Sequence, residues 1–312
     1  MMLKHANRAT MSKILIGGLA AIAIAACATK ANEAHADPET YAEGPALWKL
    51  QDEDTVIHIF GLAPVLKTGT EWQSTPVKAA LGKADLIVLE ADQSPEAQAA
   101  VQALIPAVGI YTDGSMLSSA LSEAEREEVN AISTSFGAPL QALDQLKPWL
   151  ASVQLGVLAI SQGGFDLAGT PAATISAHAA ETGTPVRAFE SATHLMELMS
   201  GFSAEEQTGM LLHTARTLRD DPEQQARLAE IWLAGDVDAI GETLHTSGGA
   251  WSSEAIYQAM LVKRNQAWVD EIGKLLETEE GNVFVAVGFG HLAGPDSLVT
   301  MLEAEGWKTV RQ

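Results

Sequence analysis

The sequence predicts an α/β fold whose sheet is built from two strand–Gly-loop–helix halves, with a large helical insertion between them. Three observations carry that expectation. Thr55–Phe60, Asp85–Glu90 and Asn282–Val287 are short β-branched or apolar runs, the kind that parallel sheets bury on both faces. Helix-start signals dominate the stretch from about residue 95 to 278. The two ends also echo each other: Phe60-Gly61-Leu62-Ala63-Pro64 follows the first strand, and Val287-Gly288-Phe289-Gly290-His291 follows the later one.

Taken in order, the folded part begins near Pro45-Ala-Leu-Trp-Lys-Leu50. The strand Thr55–Phe60 stops at Gly61, Thr75–Leu81 forms a short helix, and Asp85–Glu90 is a second strand. In the insertion, Ser94-Pro95-Glu96 places a capping residue ahead of a proline at the first helical position. Ser203-Ala-Glu-Glu206 is a capping box, while Asp221-Pro222 and Ser252-Ser253 open two further helices. A strand at Thr184–Phe189 interrupts the helices. Asn282–Val287, a Gly-rich loop, Leu298–Glu305 and Trp307–Val310 then close the chain as strand, loop, helix and strand.

The chain has 312 residues, 47 % of them hydrophobic, enough to bury a substantial core. Nineteen Lys and Arg against forty Asp and Glu give a formal charge of −21. That balance lacks the basic face that nucleic acids require, so no nucleic-acid partner is expected. With 5 % aromatic residues, stacking platforms for single strands are scarce as well. One cysteine excludes a disulfide framework and a cysteine-rich zinc site.

Residues 1–26 read as a signal peptide. Lys4, Arg8 and Lys13 precede the apolar run Ile14–Ala26, which is too short to span a membrane as a helix. The run ends Ile24-Ala25-Ala26-Cys27, the pattern of a bacterial lipobox, so Cys27 is the expected lipidation site. Cleavage after Ala34-His35-Ala36 is the alternative, and it would leave a soluble periplasmic protein. Residues 27–44 form a flexible tether and 45–312 the α/β domain. The expected location is exported and periplasmic, held to the membrane only through a lipid on Cys27.

Three residues stand out for chemistry. His291 lies in a loop with Gly288, Gly290 and Gly294 after an apolar strand, where open α/β sheets place their ligands. It serves there as a metal ligand or proton carrier, or as a loop histidine bonded to backbone. Glu90 ends a strand at the same edge, where a carboxylate can bind metal, act as a base, or pair with an arginine. Arg264 falls inside the apolar stripe of Ile256, Met260, Leu261, Trp268, Ile272 and Leu275, and therefore needs a buried partner. Glu90 or Asp92 is the expected one. His194 and Glu197 share a helical face at i, i+3. No G-x-S-x-G, Walker or H-E-x-x-H motif occurs.

Read together, these stretches resemble the TraB/GumN (Tiki-type) family. The matching segments are Pro45–Leu50, Ala84–Glu90, Leu146-Lys-Pro-Trp-Leu150, Phe189-Glu190 and the Gln207 helix. They continue with Trp232-Leu-Ala-Gly-Asp236, Lys263-Arg-Asn265 and Gly288-Phe-Gly-His-Leu-Ala-Gly294. The resemblance implies paired halves, each with a Gly-x-x-His loop, and a divalent metal held by two loop histidines and a strand-end glutamate for peptide hydrolysis. Carried over, it implies Glu90 and His291 as metal ligands and Arg264 as a further site residue.

The chain departs from that pattern at the first loop, where Pro64 stands in place of histidine and offers no donor atom. Gly169-Thr170-Pro171 departs as well, since members of the family it resembles commonly carry an acidic residue after the glycine. Two readings follow. In one, the chain is a degenerate member, non-catalytic or weakly active, that binds a peptide or an envelope component. In the other, it is a metal-dependent envelope hydrolase using Glu90 and His291, with His58 as the one nearby histidine in sequence for a third ligand.

Overall fold

Strands β2 (Thr55–Leu62) and β7 (Gly281–Gly288) lie side by side and parallel along their whole length, with Gly61 opposite Val287 and Leu62 opposite Gly288. The two ends of the chain thus meet at the centre of one sheet. In this computed structural model, residues 44–63, 65–245, 251 and 253–312 are described. The expected leader, Cys27, nearly all of the tether, and Pro64 lie outside the described residues.

On the far side of β7 runs β4 (Leu86–Ala91), and beyond it β6 (Val186–Glu190), both parallel. On the other flank, β1 (Leu47–Gln51) pairs antiparallel with β2, and β8 (Val310–Arg311) antiparallel with β1. The six-stranded order is β6-β4-β7-β2-β1-β8. A separate ribbon pairs β3 (Leu66–Lys67) with β5 (Phe165–Asp166). The fold is the expected mixed α/β architecture with helical insertions.

Alternating side chains of the central strands feed two cores. Phe60, Ile87, Leu89 and Phe284 pack with Trp72, Val77 and Trp232 on one face. Ile57, Ile59, Val88 and Val285 pack with Trp268, Ile272 and Leu302 on the other. Covering both faces requires apolar residues at consecutive strand positions, which is why β4 and β7 are nearly continuous apolar runs. The insertion carries its own core, in which the helices Pro148–Gln162 and Ala204–Asp220 bury Leu155, Leu211 and Ala215. Among the described residues, no helix is long and apolar enough to cross a membrane.

Local signals are realised closely at several starts. Ser94 caps the helix Pro95–Val108, and Ser203 with Glu206 forms both bonds of the capping box. Others shift. The helix expected at Asp221-Pro222 begins at Gln224, whose N–H donates to the Asp221 carbonyl in an intervening turn. The final strand is shorter than Trp307–Val310. Gly306, at φ +94°, and the Trp307 N–H bond to Leu302 O keep the chain turning past the helix Leu298–Ala304.

The last long helical segment holds a surprise. A π turn at Gln258–Val262 separates Glu254–Tyr257 from the helix Lys263–Thr278. All six residues of the predicted apolar stripe are buried, and Arg264 is buried with them.

Candidate functional site

Parallel strands bring their carboxyl ends to one edge, and three of them build the site. Glu90 comes from the end of β4, Glu190 from the end of β6, and Gly288 closes β7. From there the chain enters a short 3₁₀ turn, Phe289–Leu292, that carries His291 inward. Gly61 permits this turn: a Cβ there would lie 3.1 Å from Phe289 Cα, a backbone atom with little freedom to move. Arg264 enters from above on its helix, just after the π turn.

Arg264 is 5 % exposed, and each of its five N–H bonds has an acceptor. Nε donates to Glu190 Oε1 at 2.8 Å. Nη2 donates to Glu190 Oε2 at 2.9 Å and to Glu90 Oε1 at 2.6 Å. Nη1 donates to the Met260 carbonyl at 3.1 Å and to His291 Nε2 at 3.2 Å. Trp268 covers the group, its ring centroid 4.8 Å from the guanidinium carbon and 4.4 Å from the His291 ring centroid. Its indole N–H donates to Glu190 Oε1 at 3.0 Å.

The hydrogen-bond network assigns the tautomer of His291. Asn265 Nδ2 donates to the carbonyls of His291 and Asp296, at 3.3 and 2.8 Å. Its Oδ1 therefore faces His291 Nδ1, 2.7 Å away, and Nδ1 must carry the proton. Nε2 is left as the acceptor for Arg264.

Electrostatics follow the same geometry. Burial works to raise the Glu90 pKa, but the charge of Arg264 and hydrogen bonds from Arg264 and the Gly288 N–H (2.7 Å) outweigh it. The carboxyl is held below the usual glutamate range. For Arg264, burial works to lower the pKa, and Glu90 and Glu190 together push it upward. The guanidinium is a permanent cation.

These groups form the floor of a cavity of about 510 Å³ at the strand ends. Its walls are mostly apolar, with Val101, Leu195, Met196, Leu261 and Phe289 among them, and Asp92 lies on its lining. The volume is in the range of ordinary small-molecule sites.

The structure brings together Glu90, Arg264 and His291 as the sequence suggests. It divides the expected partners of Arg264: Glu90 is one, whereas Asp92 is turned to the Ser94 N–H at 2.8 Å. The second partner is Glu190, which sequence reasoning missed as a site residue. Its signal was available, because it ends its strand, as Glu90 stands one residue before the end of β4. His58 sits mid-strand, three residues before Gly61, roughly 10 Å back along β2 at the usual rise. It is absent from the cavity lining, as are His194 and Glu197. Pro171 begins the helix Pro171–Thr182, whose cap Thr170 reaches the cavity.

A divalent metal on Glu90 and His291 does not fit this arrangement. A histidine ligand must offer an unprotonated nitrogen, yet Nδ1 is protonated toward Asn265 and the Nε2 lone pair receives Arg264. Among the described residues, no three His, Cys, Asp or Glu side chains are grouped to hold a metal ion.

The family model described as TraB/PrgY/gumN matches residues 46–311. No curated protein and no solved structure matches the chain.

Proposed function

The chain belongs to the TraB/PrgY/gumN family, and from that premise we propose that it is an exported, degenerate member that binds a ligand at the strand ends and is non-catalytic or weakly active. One observation carries the reading: Arg264 uses all five of its N–H bonds on Glu90, Glu190, His291 and Met260. A buried cation already pairs with the carboxylates that a metal would need, and it occupies the histidine nitrogen as well. Pro64 and Pro171 support the reading from the sequence, since both replace polar residues of the family pattern.

Export and anchoring rest on the sequence alone. The basic segment, the apolar run and Ala25-Ala26-Cys27 favour a lipid on Cys27 and a periplasmic location. The ligand is a peptide or another envelope component, and the charge of −21 argues against nucleic acid.

The intact Gly288–His291 loop favours a second reading, a metal-dependent peptide hydrolase using Glu90 and His291. Metal content and peptide turnover separate the two, measured on the purified chain beside a Pro64→His variant. No stoichiometric metal and no turnover in the natural chain is the expected result, and none is gained by the variant, because Arg264 still occupies the His291 nitrogen. Stoichiometric metal in the natural chain, with turnover abolished by Glu90→Gln and by His291→Ala, would overturn the proposal.

A further inference from the structure

We propose that the cavity takes an amphipathic ammonium ligand, one cationic amine seated on Glu90 with an apolar body against the walls. The inference rests on the reading of this site as a binding pocket and adds the chemistry of its occupant.

Arg264 looks at first like an anion receptor on the cavity floor, and its bonding denies that role. An anion needs N–H donors, and every one of the five is already spent on a protein acceptor. What the floor offers instead is acceptor capacity. Glu90 Oε1 receives one N–H from Arg264 and Oε2 one from Gly288, so each oxygen retains room for another donor. The Glu90 side chain is also the more open of the two carboxylates, 19 % exposed against 9 % for Glu190.

The charge tally points the same way. Glu90 and Glu190 face a single guanidinium, and His291 accepts a proton-donor contact as a neutral ring. One negative charge at the base of a mostly apolar cavity is unbalanced, and Asp92 on the lining adds to it. A buried charge without a partner is costly, so an occupant carrying one positive charge is favoured over a neutral or anionic one. A primary ammonium supplies three donors and a compact charge, which matches the vacant acceptor positions of Glu90. Val101, Leu195, Met196, Leu261 and Phe289 then call for an apolar body behind the amine.

Three matched probes test this by calorimetric titration of the full chain: 4-phenylbutylammonium, 4-phenylbutanol and 4-phenylbutyrate. The expected result is binding of the ammonium at least tenfold tighter than either of the others. Glu90→Gln is expected to remove that preference. Ala173→Trp, at an exposed position on the cavity lining, is expected to abolish binding while leaving the melting temperature unchanged. Equal affinity for the alcohol, tighter binding of the carboxylate, or ammonium binding that survives Ala173→Trp would each overturn the proposal. Failure of the underlying reading has a different sign, stoichiometric metal in the purified chain, whichever probe binds.

Discussion

Glu190 grips Arg264 with both carboxylate oxygens, at 2.8 Å to Nε and 2.9 Å to Nη2, whereas Glu90 touches it through one. The bidentate partner also receives the Trp268 indole N–H. Losing Glu190 therefore removes two bonds from the guanidinium and the bond to the indole, while losing Glu90 removes a single bond from Arg264. Glu190→Ala is expected to cost about 3–5 kcal/mol, the range for breaking a buried ion pair. Glu90→Ala should cost less. Urea unfolding of both variants checks the ranking, and the reverse order would refute this division of roles.

Acid should act through Glu90. Its folded pKa lies below the ordinary value because the charge of Arg264 and hydrogen bonds overcome the effect of burial. A depressed carboxylate contributes stability that is complete above the unfolded pKa and disappears as pH falls through the folded one. The natural chain should therefore lose more stability than Glu90→Gln between neutral pH and the acid end of that window. Unfolding free energies across the range would show the two curves converging. Parallel curves would contradict the assignment.

Asn265 holds the loop in place. Its side chain satisfies the carbonyls of His291 and Asp296 and accepts from His291 Nδ1. Asn265→Ala leaves two buried polar groups of His291 and the part-buried Asp296 carbonyl without their partner, at about 1–3 kcal/mol for each that water cannot reach. A denaturation midpoint equal to that of the natural chain would mean that the loop is held by other contacts.

Much of this was readable from residue types. The apolar runs of β4 and β7 announced strands buried on both faces, and Arg264 betrayed its partners by standing inside an apolar stripe. Glu190 was harder, because a carboxylate ending a strand is common and only the sheet order makes β6 a neighbour of β4. Asp92 was a fair alternative by distance along the chain, but its place before Ser94 made it a turn acceptor. The π turn at Gln258–Val262 has no marker in residue type. It depends on how the helix packs, and it precedes the residue that organises the site.

Gly61→Ala tests the close packing of the two halves. The added Cβ would stand 3.1 Å from Phe289 Cα and 3.2 Å from Leu292 Cδ1, so the 3₁₀ turn must shift. Overpacking of this kind costs about 1–3 kcal/mol. A drop in stability with altered His291 resonances is expected, and an unperturbed spectrum would place the turn away from β2.

The central claim is that Arg264 holds the Nε2 lone pair of His291 and so keeps a metal from it. The most direct measurement is the ¹⁵N NMR spectrum of the histidine side chains, with His291 assigned through His291→Gln, before and after adding one equivalent of Zn²⁺. The account predicts a neutral ring protonated at Nδ1, with both nitrogen shifts unchanged by zinc. A zinc-induced shift of Nε2 that disappears in Glu90→Gln would contradict it and restore a metal centre at the strand ends.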